Sequence, residues 1–154
     1  MPKSSISSFK EFEYKLFWND KIAINKLMIN DFLILNCIGK DDKIAIKIGV
    51  KFYIYDFDQK VNKKDQLVSN ILNLTKKYKV NINNKFSILI NVGPGRFSSI
   101  RTSLAVAKGI KVSKKINLYG YKNTDLGRFN LANVELLIKK NLLQKNLIKP
   151  LYIS

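Results

Sequence analysis

The sequence predicts an α/β fold built on a mixed sheet, and three stretches carry that prediction. Residues 32–57 hold three strand-like runs joined by short turns, the pattern of an antiparallel meander. Residues 86–110 read as a buried strand, a tight turn and an amphipathic helix. Residues 117–121 supply one more strand after that helix, and strand–helix–strand is the crossover that sets two strands parallel.

Taken in order, Met1 to Ser8 is small and polar and reads as a loose end. Phe12, Tyr14, Leu16 and Trp18 alternate with other residues up to the turn signal Asn19-Asp20-Lys21, after which Ile22 and Ile24 alternate again. That is a hairpin pattern. A helix over Phe9 to Phe17, with Phe9, Phe12 and Leu16 on one face, is the rival reading. Residues 1–30 are set aside as an N-terminal extension, 31–124 as the α/β domain, and 125–154 as a C-terminal helix and tail.

Phe32 to Ile38 is the first strand of the domain. Gly39-Lys40-Asp41-Asp42 is a turn. Ile44, Ile46 and Ile48 then fall on one face, with Lys43, Ala45 and Lys47 on the other. After Gly49, Phe52 to Phe57 forms a third strand. Leu67, Ile71, Leu74 and Tyr78 mark a helix from about Asp65 to Lys79. Phe86, Ile88, Leu89, Ile90 and Val92 form a short apolar run, as in a strand covered on both faces. Gly93-Pro94-Gly95 stops it, because proline lacks an N–H and glycine permits positive φ. Ser98 or Ser99 is the expected cap of the next helix. Ile100, Leu104 and Ala107 share its inner face, and Gly109 with the lysines after it signals its end. Leu131, Val134, Leu137, Ile138 and Leu142 describe a last helix, closed by Pro150.

Composition bounds the chemistry. The chain has 154 residues, 46% of them apolar, enough for one domain with a true core. Its net charge is +17, from 28 basic and 11 acidic residues. Arg96, Arg101 and Arg128 are the only arginines. Lysine, asparagine and isoleucine are all heavily used, as in a genome rich in A and T. The alternative reading of the charge is attraction to RNA or another polyanion, which the scarcity of arginine weakens. No aromatic-and-arginine stacking pattern is visible along the chain. There is no histidine, which removes the Ser-His-Asp triad and the commonest general base. Cys37 is the single cysteine, so no intrachain disulfide forms, and it reads as a small buried apolar residue. No apolar run reaches membrane-spanning length. A cytoplasmic protein is the expectation.

The Gly-Pro-Gly turn leaves backbone N–H groups near a helix N-terminus, a candidate anion site. It is not a Walker loop, since no Gly-Lys-Ser/Thr follows, nor a dinucleotide fingerprint, since the third glycine is missing. Arg96 either competes with the macrodipole for an anion or lies across the surface by its aliphatic stem. Arg101 is either a surface ion pair or an interface or loop-ordering contact.

The segment V-G-P-G-R-F-S-S-I-R-T-S-L-A-V-A-K-G-I resembles the signature of the bacterial TsaB (YeaZ) family, roughly G-P-G-S-F-T-G-L-R-x-G-L-x-x-A-K-G. Gly93, Pro94, Gly95, Phe97, Arg101, Leu104, Ala107, Lys108 and Gly109 match. The strands from Phe32, the helix start at Asp65-Gln66-Leu67, the strand Asn117 to Tyr121 and the tail Lys149 to Ser154 also resemble their family counterparts. The departures are a chain shorter than the family's, Arg96 in place of serine, Ser99 in place of glycine, Asn36 in place of an acidic residue, and no histidine near Gln66.

The resemblance implies an actin/Hsp70/sugar-kinase-like (ribonuclease H-like) fold with the second subdomain largely missing. It implies a non-catalytic subunit that binds the catalytic TsaD protein and, with the TsaE ATPase, supports N6-threonylcarbamoyladenosine formation at position 37 of tRNAs reading ANN codons. ATP and a metal ion are expected in the partner complex, none on this subunit alone, and tRNA is met through the complex. The signature loop is Gly93, Pro94, Gly95, Arg96, Phe97, Ser98 and Arg101. The expected partner interface is Leu67, Ile71, Leu74, Leu104, Ala105, Lys108 and Gly109, on two helices that pack against equivalent helices of the partner or, in its absence, of a second copy. Asn36, Asp41 and Asp42 are given no catalytic role, because an amide is no base and the two aspartates are turn formers. Two rival functions stay open: a small kinase-like nucleotide-binding enzyme using the loop, and a basic RNA-binding module.

Overall fold

The computed structural model describes residues 29–58, 63–145 and 148–152. The hairpin expected between Phe12 and Ile24 lies outside the described residues. Five strands form one mixed sheet: β1 (Phe32–Asn36), β2 (Lys43–Ile48), β3 (Lys51–Asp56), β4 (Ser87–Asn91) and β5 (Asn117–Tyr121). Their order is β3-β2-β1-β4-β5. The meander β1–β2–β3 is antiparallel, with Leu33 opposite Ile46 and Ile44 opposite Tyr55. β4 lies parallel to both β1 and β5, with Leu35 beside Ile90 and Ile90 beside Gly120. The helices are α1 (Lys63–Lys77), α2 (Phe97–Lys114) and α3 (Leu131–Lys139), with a 3-10 turn at Asn123–Asp125.

Period-two alternation divides the sheet residues between two cores. On one face Leu33, Leu35, Ile44, Ile46, Ile88, Ile90 and Leu118 meet Leu67, Ile71 and Leu74 of α1 and Leu104 and Ala107 of α2. On the other, Phe32, Ile34, Ala45, Leu89 and Tyr121 meet Val134 and Leu137 of α3. The result is a helix–sheet–helix sandwich. β1 from Phe32 to Leu35 and β4 from Ile88 to Ile90 are apolar because both of their faces are covered.

Four expectations about elements need correction. α2 begins at Phe97, and its N-cap is Arg96 with no side-chain hydrogen bond, not Ser98 or Ser99. The bound is set by the loop: Ile100 N–H already donates to the Arg96 carbonyl at 3.0 Å, so both serines are inside the helix. α2 also runs through Gly109 to Lys114, and the left-handed residue that ends it is Lys115 at φ 59°. Glycine terminates a helix only where the backbone turns left-handed. Third, α3 stops at Lys139, before Leu142, and Asn141 takes φ 56°. Finally, Pro150 does not close α3, which ends well before it, and described residues beyond α3 return to the sheet and the loop. Gln144 exchanges backbone hydrogen bonds with Gly120 at 2.7 and 3.0 Å, Leu151 N–H donates to the Val92 carbonyl at 2.6 Å, and Gly95 N–H donates to the Leu151 carbonyl at 3.2 Å.

Candidate functional site at the Gly-Pro-Gly loop

In open α/β sheets the carboxyl ends of parallel strands are where ligands and partners are met. Here those ends are Asn36, Asn91 and Tyr121, and they carry a buried polar network. Asn91 is 0% exposed. Gly93 N–H donates to its Oδ1 at 2.9 Å. A backbone N–H only donates, so the oxygen of Asn91 faces Gly93 and its nitrogen faces the other way. That Nδ2 donates to Asn36 Oδ1 at 2.7 Å and to Asn123 Oδ1 at 3.0 Å. Tyr121 Oη donates to Asn36 Oδ1 at 3.0 Å. Asn36 therefore acts as a double acceptor, and Asn91 spends its oxygen and both amide hydrogens inside the network. Burial pushes the Tyr121 hydroxyl well above the usual tyrosine pKa, with Cys37 adding to the rise and the Asn91 side chain opposing it.

The network fixes the loop. Asn91 holds Gly93, whose carbonyl accepts from Asn123 N–H at 2.7 Å. The Gly93–Pro94 peptide is cis and Gly93 sits at φ 103°. A Cβ at Gly93 would strike the Leu151 carbonyl, and one at Gly95 would come within 2.6 Å of Ile38 Cβ. Both glycines are thus required by close backbone approach. Arg96 N–H donates to the Ile38 carbonyl at 2.9 Å. Its Cβ, Cγ and Cδ cover Gly39 of the β1–β2 turn. The aliphatic stem of Arg96 thus lies across the β1–β2 turn, as one of its two readings has it.

The other site residues divide by burial. Leu67, Ile71, Leu74 and Leu104 are buried in the chain's own core. Their place in the expected partner interface is corrected: an apolar stripe faces whatever covers it, and here that is the sheet. Ala105, Lys108 and Gly109 are exposed, and nothing lies within 4 Å of a Cβ built on Gly109. Val68 and Leu72 of α1 and Val112 of α2 are the exposed apolar residues of these helices that the sequence pattern did not single out. The guanidinium of Arg101 lies 5.5 Å from the Phe97 ring centroid rather than in a surface ion pair. Phe97 in turn packs against Tyr152, with centroids 4.6 Å apart and ring planes at 51°. An arginine–aromatic stack therefore exists where the linear sequence shows none. Pro94 and Ser98 are exposed at the loop surface.

Among the described residues no group of histidine, cysteine, aspartate or glutamate could hold a metal ion, and no helix is long and apolar enough to cross a membrane. Asp42 accepts from Gly39 N–H at 2.8 Å and Asp41 sits at φ 51°, both as turn formers. Asn91, Asn123 and Tyr121 were not legible as a site. The only signal was asparagine at a strand end, which reads equally well as turn chemistry.

No family model and no curated protein matches the chain. Solved structures do. An uncharacterized Pseudomonas aeruginosa protein with similarity to the peptidase YeaZ superimposes with a TM-score of 0.57 at 14% identity, over 63% of this chain and 45% of that one. YeaZ from Pseudomonas aeruginosa gives the same TM-score and identity, over 63% of this chain and 46% of its own. The chain spans just under half the length of these proteins. Over the matched part, its mixed α/β fold is similar to that of YeaZ.

Proposed function

We propose that the chain is a TsaB-like, non-catalytic subunit that engages a TsaD-like catalytic partner and, with a TsaE-like ATPase, supports threonylcarbamoylation of tRNA, on an actin/Hsp70-like fold. The observation that carries this reading is the unit Phe86 to Ile110. Its signature residues lie in a YeaZ-like fold, and the strand ends beside it hold a closed amide network. A catalytic member needs an acid there. Asn36 offers only an amide whose oxygen already accepts twice. These residues do not fit a metal-bound nucleotide, so the ATP and metal of the complex are assigned to the partners. A peptidase of the Ser-His-Asp kind would need an imidazole, and the chain has none.

The contact surface is the outer side of α1 and α2, which touch each other. Leu72 is 61% exposed and Val112 77%, and around them lie Val68, Ala105, Lys108 and Gly109. Small residues let a partner helix approach closely. α2 contains no acidic residue and carries Arg101, Lys108, Lys111 and Lys114. Two copies meeting on this face would set like charge against like, so the face suits an acidic partner better than a second copy. Co-expression with the TsaD-like protein of the same organism tests the reading. A complex is expected, weakened at least tenfold by Leu72→Glu or Ala105→Glu. Failure to form a complex, with and without the TsaE-like protein and ATP, overturns it.

A further inference from the structure

The cluster of Arg101, Phe97 and Tyr152 lies outside the core at the N-terminal end of α2, where Arg101 and Ala105 also border the α1–α2 contact face. Phe97 is 49% exposed and Tyr152 42%, a large outlay of aromatic surface at one corner. Beside it runs an open groove of about 480 Å³ lined by Phe97, Ser98, Arg101, Thr102, Ala105 and Val106. Two of the chain's three arginines, Arg96 and Arg101, flank the corner, and Lys40 stands in the turn that the Arg96 stem covers. The nearest acids in that turn are Asp41 and Asp42, and Asp42 is buried and turned inward to Gly39. α2 itself has no acid in its first turn.

We infer that this corner is a contact for single-stranded RNA, with a base stacked on an exposed ring face of the tilted Phe97–Tyr152 pair and the backbone phosphates drawn by Arg96, Arg101 and Lys40. The chemistry favours RNA over an acidic protein segment. A carboxylate needs only the cations, whereas every nucleobase has a flat face that matches exposed rings and a guanidinium plane. A net charge of +17 supplies the long-range attraction. The inference goes beyond the proposed scaffold role and does not depend on it.

The test uses the full chain alone and a fluorescein-labelled decauridylate, followed by anisotropy over a salt series. Phe97→Leu and Tyr152→Leu keep apolar bulk at the corner and remove the ring faces. The leucine double variant is expected to bind roughly 5- to 100-fold more weakly than the parent chain, the range that losing a base–aromatic stack supports. Its salt slope should be unchanged, because no cation is removed. Tyr152→Trp should bind at least as tightly as the parent. Circular dichroism of each variant confirms that it is folded. Three results overturn the inference: no binding at low salt, equal binding by the leucine variant, or an equal loss by that variant for poly-glutamate. The last would assign the corner to an acidic protein instead.

Discussion

Asn91 is the residue whose replacement tests the reading of the loop most sharply. In Asn91→Ala the N–H of buried Gly93 loses its acceptor, and a buried donor left without a partner costs about 1–3 kcal/mol. Asn36 keeps the Tyr121 hydroxyl, and half-buried Asn123 can turn to water, so each of those two bonds is worth only about 0.5–1.5 kcal/mol net. The sum is about 4 kcal/mol, a large part of the 5–15 kcal/mol typical of a domain. That corresponds to a fall in Tm of roughly 8–16 °C. Urea unfolding followed by circular dichroism measures it, with the slope unchanged if the native state is otherwise intact. The donor and acceptor assignments add an asymmetry. Asn36→Asp should be tolerated, because an aspartate oxygen accepts from the same two donors. Asn91→Asp should be poorly tolerated, because a carboxylate there faces two amide oxygens. Its folded pKa would lie above the unfolded value of about 3.9, so the variant loses stability as pH rises above about 4. A loss below about 1 kcal/mol for Asn91→Ala, or equal losses for the two aspartate variants, refutes the network as described.

Three further outcomes are expected. Gly95→Ala should destabilise by about 1–3 kcal/mol, since its Cβ meets Ile38 Cβ at 2.6 Å and the Ile38 carbonyl at 2.9 Å and the backbone has to give; thermal denaturation reads it. Ser98→Glu should stabilise by about 0.3–1 kcal/mol at low salt, and less at high salt, because α2 has neither a side-chain cap nor an acid in its first turn. Stability should fall as pH rises above about 10, the ordinary tyrosine value. Tyr121 stays protonated in the folded chain while an unfolded one ionises, so the unfolded state binds fewer protons and gains. Tyr121→Phe should flatten that alkaline limb in a urea series taken across pH.

Most of the fold is legible in the sequence, because the two periods of alternation are physical. Ile44, Ile46 and Ile48 face one core and Ala45 the other, as their spacing requires. β5 has the bounds that its flanking residues suggest. Where reading fails, the missing information is spatial. The stripe Leu67, Ile71 and Leu74 announces an apolar face but not whether sheet or partner covers it. Serines at 98 and 99 suit a helix start in isolation, yet Arg96 is held to Ile38 and its carbonyl already accepts from Ile100, so the helix starts two or three residues earlier. Gln66 is polar by type but closes a reciprocal pair with the Asp58 backbone, at 3.0 and 2.7 Å. Asn36, Asn91 and Asn123 become a network only when three strand ends converge. Phe97 and Tyr152 become neighbours only when the residues after α3 return to the loop. The buried Asn70 side-chain nitrogen has no hydrogen-bond partner among the described residues.

The stitching of Leu151 onto Val92 and Gly95 has a kinetic consequence. Those partners are separated by nearly sixty positions, and contacts of long sequence separation pay their loop-closure entropy before they return anything. During synthesis the sheet and α2 can form while Leu151 is still unmade. Over that interval Gly95 N–H has no acceptor and Phe97 lacks the ring that later shields it. The corner that matures last is therefore also the one most exposed to the wrong partner while the chain is growing, and to chaperones that bind bare aromatic surface.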